Sequence, residues 1–126
     1  LTDFSKCTNF HRVFYNCSNM ATINLGTIQD FGLVTNWGSF RGLGVCSINF
    51  LTTTNIQSTT ALSDLLYLTK IETAQYDNLL QALVTAGNSS GNLGAGTSTY
   101  TAVGAGGTAR AALVTAGWTI NDGGAA

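Results

Sequence analysis

The chain has 126 residues and a formal net charge of −1, with five Lys and Arg against six Asp and Glu. Charged residues make up only 9%, so no basic stripe serves a phosphate backbone and no basic cluster serves anionic lipid. An apolar share of 44% argues against disorder, and no run reaches the ~18 apolar residues of a membrane span.

Polarity comes instead from 19 Thr, 11 Asn and 9 Ser, together with 15 Gly. Short uncharged hydroxyls and amides suit strands, turns and stacked side-chain ladders, and such surfaces are common in secreted and virion proteins. The opening "LTDFSKC" has neither an initiator Met nor a charged-then-apolar leader, which predicts a processed product or part of a longer polypeptide. Cys7, Cys17 and Cys46 are odd in number, so they cannot all pair within the chain. Together with His11 they have no usual zinc spacing, and buried free thiols are the expected reading. Of the sequons at Asn16 and Asn88, the one beside Cys17 is expected to be masked, leaving Asn88.

The first predicted element lies in "VFYNCSNMATINL", residues 13–25. Phe14, Cys17 and Met20 recur every three residues, the period of a tight turn or 3₁₀ segment. Ile23 and Leu25 then alternate as in a strand with one face inward. "ATINLGT" (21–27) aligns with "CSINFLT" (46–52), matching Ile23 to Ile48, Asn24 to Asn49 and Thr27 to Thr52 at an offset of 25. "FSKCTNF" (4–10) echoes "FYNCSNM" (14–20). A period of about 20–29 residues with one strand and one irregular return leg predicts a solenoid coil. In such a coil Thr22, Asn24, Ser47 and Asn49 point outward as an uncharged polar row.

The pattern F-x-x-C-S-N-M-x-x-I-N-L resembles the BspA-type leucine-rich repeat, with units that read F-x-x-C-x-x-L-x-x-I-x-L. It covers residues 13–27, part of 4–10, and 39–52 with Leu43 near the cysteine slot. The resemblance implies a right-handed solenoid of short strands, as in bacterial surface proteins and phage or virus appendages. It implies no catalytic residues.

Downstream, "TAQYDNLLQALVTAG" places Tyr76, Leu79, Leu80 and Leu83 on one helical face. Thr73 is the expected N-cap, Asp77 complements the helix dipole, and Gly87 ends the helix in the left-handed C′ conformation. "ALVTAG" recurs identically at 112–117, predicting a shorter helix capped by Thr108, with Ala109, Ala112, Leu113 and Ala116 on one side and Gly117 ending it. Strands are expected after each helix, at 91–96 and at 118–121. The ending "GTARAALVTAGWTINDGG" resembles C-terminal caps that close repeat domains in phage appendage and bacterial surface proteins.

Conventional chemistry is not encoded. The carboxylates Asp3, Asp30, Asp64, Glu72, Asp77 and Asp122 are scattered, and His11 is the lone histidine. Gly104, Gly106 and Gly107 precede a helix without a Walker lysine, so they read as a turn rather than a phosphate cradle. Asp122-Gly123-Gly124 also reads as a turn, since one carboxylate cannot hold calcium. Tyr100 suits sugar stacking or the core equally.

The expected architecture is an α+β fold of one domain, 1–126. Residues 1–68 form leucine-rich-repeat-like coils, and 69–126 form a cap of two helix–strand units. The expected function is non-enzymatic adhesion by a phage or virion appendage or extracellular surface module. Thr22, Asn24, Ser47, Asn49 and the loop residue Trp37 would face a host glycan or protein. The alternative is a structural subunit of an extracellular filament, virion shell or fibre, whose main partner is itself, as a homo-oligomer or larger assembly. No nucleic acid, membrane insertion, metal or cofactor is expected.

Overall fold

Ile23 and Ile48 lie side by side in parallel strands, in the register at which the two sequence segments align. The computed structural model describes residues 8–9, 12, 14–19, 21–23, 29–30, 41–48, 53–55 and 61–126, with backbone alone at 29–30, 53–55 and 61. Its strands are β1 (Thr22–Ile23), β2 (Gln29–Asp30), β3 (Gly44–Val45), β4 (Ser47–Ile48), β5 (Thr53–Asn55), β6 (Ala61–Leu62) and β7 (Thr69–Lys70). Helix α1 (Thr73–Ala86), β8 (Asn92–Gly94), α2 (Ala105–Thr115) and β9 (Thr119–Asn121) follow.

The result is a mixed helix and strand fold in which every named strand pair is parallel. Thr22 faces Ser47 and Gly44 faces Thr69, both 25 residues on. Gln29 faces Thr53 with a register irregularity at the next pair. Beyond them β8 lies between β6 and β9, and its Asn92 pairs with Thr119. Parallel neighbours cannot be joined by a hairpin and require long crossovers. Helix α1 supplies the crossover from β6 to β8, and α2 the one from β8 to β9. The two expected C-terminal helix–strand units are therefore present as α1–β8 and α2–β9.

A left-handed backbone corner recurs along the chain. Asn16, Gly42, Leu68, Gly96 and Gly124 have φ of 56°, 75°, 56°, 58° and 83°. Their spacings are 26, 26, 28 and 28 residues, from 16, 42, 68, 96 and 124. Gly42 sits so close over Asn16 that an added Cβ would collide with the Asn16 side-chain oxygen. The corners are tied by Asn16 N–H donating to the Arg41 carbonyl at 3.0 Å and Gly42 N–H to that of Tyr67 at 2.8 Å. Leu68 bears this conformation with its side chain largely exposed. Left-handed backbone costs a non-glycine residue about 1–2 kcal/mol. Leu68→Gly is therefore expected to raise the unfolding free energy by about 1 kcal/mol in a urea titration, after glycine's own entropic cost is deducted.

The core is continuous from Ile23, Leu43 and Ile48 through Leu62, Leu65, Leu66 and Ile71 to the helices and Trp118. In α1 the buried residues are Tyr76, Leu79, Leu80 and Leu83, the face its spacing predicts, and Gly87 ends it at φ 77°. The expected Thr73 cap is corrected. Glu72 holds the N-cap position in extended backbone without a side-chain cap bond, and the Thr73 hydroxyl meets that of Thr99 at 3.0 Å. Gln75, from the same helix, accepts the Ile48 N–H at 2.7 Å and donates to the Ser47 hydroxyl at 3.0 Å, fastening α1 to β4.

Helix α2 begins earlier than Thr108, which already donates its N–H back to the Gly104 carbonyl at 3.1 Å. Its first turn packs close on α1, where a side chain at Gly106 would strike Asp77, and folds back on its own approach, where one at Gly107 would strike the Ala102 carbonyl. Gly106 serves contact with the Asp77 side chain of α1, and Gly107 contact with the backbone just before the helix. Ala109 and Leu113 are buried as expected, whereas Ala112 and Ala116 face solvent because α2 is covered along a narrow stripe. Trp118 packs its ring over Gly91 and donates Nε1–H to the Asn88 carbonyl at 2.9 Å. No helix among the described residues is long and apolar enough to cross a membrane.

Candidate functional site

Of the residues nominated by the sequence, Thr22 and Ser47 are brought together, directly opposite each other on β1 and β4. Thr22 is exposed, while Ser47 is half-buried with its hydroxyl taken by Gln75. Asn24, Asn49 and Trp37 lie outside the described residues, as do Cys7 and His11. Cys17 packs half-buried against the core and Cys46 is buried. Burial pushes the Cys46 thiol up from its ordinary value, so it is a poor nucleophile. Among the described residues no three His, Cys, Asp or Glu side chains gather as metal ligands would.

The densest polar cluster is at the end of the chain. The Asp122 carboxylate, its side chain only 3% exposed, accepts Arg110 Nε–H at 2.8 Å and Nη2–H at 3.2 Å. It also accepts the Tyr76 hydroxyl at 2.8 Å and the Gly124 N–H at 3.0 Å. Arg110 stacks on the half-buried Tyr100 ring at 4.9 Å, so that ring is a packed member of the cluster. Burial by itself raises the Asp122 pKa, but the bonds from Arg110, Tyr76 and Gly124 outweigh it and hold the carboxyl below its ordinary value. Burial and then the Asp122 bond push the Tyr76 phenol far up, and the Asp122 bond also raises Arg110. None of the three changes charge near neutrality. The arrangement joins α1, α2 and the tail after β9, and its geometry is that of a clamp. The turn at Asp122-Gly123-Gly124 was legible in the sequence, whereas its partners at 76 and 110 were not.

Tyr76→Phe removes one donor to Asp122 while leaving the ring packed. It is expected to lower the unfolding free energy by about 1.5–3 kcal/mol, as for a hydrogen bond to a charged group, measured by chemical denaturation.

The open surface offers a different arrangement. Arg41 lies over the Tyr67 ring at 4.5 Å and over the Tyr15 ring at 5.7 Å, and Arg12 covers Tyr15 at 5.0 Å. Tyr15, Arg41 and Tyr67 recur 26 residues apart, each immediately before a left-handed corner. The next residues at this place are Ala95 and Gly123, before the corners Gly96 and Gly124. The column of large side chains thus stops at Tyr67. There the surface opens into a groove of about 500 Å³, bounded by Ser63, Asp64 and Tyr67 on one side and Gly96, Thr97 and Asn121 on the other. Tyr67 is 44% exposed, and Asp64 stands 3.8 Å from Arg41 with its side chain 47% exposed. The 26-residue interval of Tyr15, Arg41 and Tyr67 was the signal that sequence reading passed over. Compared with known proteins, the chain matches no family model, no curated sequence and no solved structure.

Proposed function

We propose that the protein is a non-enzymatic adhesion module of a phage or virion appendage or an extracellular surface, built as a short leucine-rich-repeat-like solenoid with a helix–strand cap. The observation that carries this reading is the left-handed corner recurring at 16, 42, 68, 96 and 124 beside named strands whose pairs, among the described residues, are all parallel. Stacked coils give both features one cause, since each coil must turn the same corner above the last. A stack of this kind presents a continuous, weakly charged face suited to a glycan or protein of a host. On that face Thr22, Asn24, Ser47, Asn49 and Trp37 are the proposed contacts. The absence of catalysis is likewise a proposal, supported by how two of the described carboxylates are occupied. Asp77 accepts the Thr101 N–H and hydroxyl at 2.9 and 2.6 Å, and Asp122 is enclosed in its clamp.

The expected result is retention of the purified chain on host-surface extracts, weakened by the double change Asn24→Ala and Asn49→Ala. Binding that is absent, or indifferent to those changes and to the groove at Tyr67, overturns the adhesion reading. Self-assembly is the second reading, favoured by the exposed apolar side chains Val45, Leu68 and Val103. It predicts oligomers in size-exclusion with light scattering, and a stable soluble monomer sinks it.

A further inference from the structure

We infer that the groove beside Tyr67 is a binding site for neutral sugar, in which the free face of the Tyr67 ring stacks on one pyranose. The inference rests on the adhesion reading and assigns it a second, separate contact. A pyranose has an apolar face of C–H bonds and a rim of hydroxyls. Tyr67 supplies the matching half-exposed aromatic face, whose electron-rich surface attracts C–H groups. Arg41 is stacked on this ring and holds it as part of the Tyr15–Arg41–Tyr67 column. The ring is thereby oriented before a ligand arrives, which limits the ordering cost of binding.

The rim chemistry agrees. Ser63 and Thr97 offer hydroxyls, Asn121 an amide and Asp64 a carboxylate, all bordering the same groove. Hydroxyls that both donate and accept are best met by such a mixture. The volume of about 500 Å³ falls within the range usual for small-ligand sites, roughly 300–1,000 Å³. Among the described residues the lining contains a carboxylate and no cation, which disfavours phosphate, sulfate and sialic acid. Tyr67 is 44% exposed and lines the groove, so part of its ring remains open beside the Arg41 contact.

The test is an array of immobilised oligosaccharides: a neutral set of hexoses and N-acetylhexosamines, and an anionic set carrying sialic acid or sulfate. The full chain is expected to bind members of the neutral set. Tyr67→Ala should weaken that binding at least tenfold and Asn121→Ala several-fold, while Tyr67→Phe, which keeps the stacking face, and Val103→Ala, at a 92% exposed position outside the groove, leave it within twofold. Circular dichroism of each variant checks the fold, and Asn121→Ala keeps the test decisive if Tyr67→Ala unfolds. Binding confined to the anionic set, or neutral binding unchanged by both Tyr67→Ala and Asn121→Ala, overturns the groove assignment. If such binding is instead lost with Asn24→Ala and Asn49→Ala, the adhesion reading survives without this site. A blank array for the unmodified chain overturns the groove assignment, and retention on host extracts then decides the adhesion reading by itself.

Discussion

Asp122→Ala is expected to lower the unfolding free energy by about 3–5 kcal/mol, the scale for removing one partner of a buried ion pair. The side chain is 3% exposed and serves Arg110, Tyr76 and the Gly124 N–H at once. Its loss leaves a guanidinium and a buried phenol without their acceptor. Solvent can reach Arg110, which is a quarter exposed, but not Tyr76. Urea denaturation at neutral pH measures the loss. The acid limb supplies an independent check. Asp122 has a folded-state pKa below its unfolded one, so its contribution is complete above the ordinary carboxylate value of about 3.9 and fades as pH falls through the folded value. The difference between the native chain and Asp122→Asn should therefore shrink below about pH 4. A difference that persists unchanged into that range would show that the charge of Asp122 is not what stabilises the tail.

How much of this was readable in the chain depends on the distance over which each contact acts. The face of α1 follows from a 3.6-residue period within fourteen residues, and Tyr76, Leu79, Leu80 and Leu83 are buried as that period requires. The parallel register of Ile23 with Ile48 was legible because both strands carry the same inward residue in the same local pattern. The two N-caps differ from expectation for a tertiary reason, while the Gly87 cap is as expected: Thr73 finds Thr99, and α2 starts back at Ala105, where Gly106 packs on Asp77 of α1. Asn24, Asn49 and Trp37 lie outside the described residues, so only the Thr22–Ser47 portion of the nominated row has a geometry. The groove was hidden because its walls come from separate segments, 63–68, 94–97 and 121. Local propensity carries no information about which small residues end a column of stacked rings.

Gly94, the one glycine of β8, makes the most exacting test of this packing. Gly94→Ala is expected to cost about 3 kcal/mol or more, near the upper end for overpacking in a closed site. The new Cβ would be driven into the Ser63 carbonyl, a backbone group that has no rotamer to escape by. Gly94 also accepts the Leu66 N–H at 3.0 Å through its own carbonyl, so the two segments cannot part without breaking that bond. Gly94 lies outside the left-handed region and is limited by space alone. Gly87→Ala is the control for the other kind of need: its φ of 77° favours glycine while open space surrounds the added methyl. Its cost should be about 1–2 kcal/mol, the conformational penalty alone. A Gly94→Ala loss no greater than the Gly87→Ala loss in thermal unfolding would mean that the 63–66 turn yields to β8. Such yielding would shift Ser63 and Asp64 relative to Asn121. Because these residues border one groove, Gly94→Ala should then weaken sugar binding more than it changes helix content.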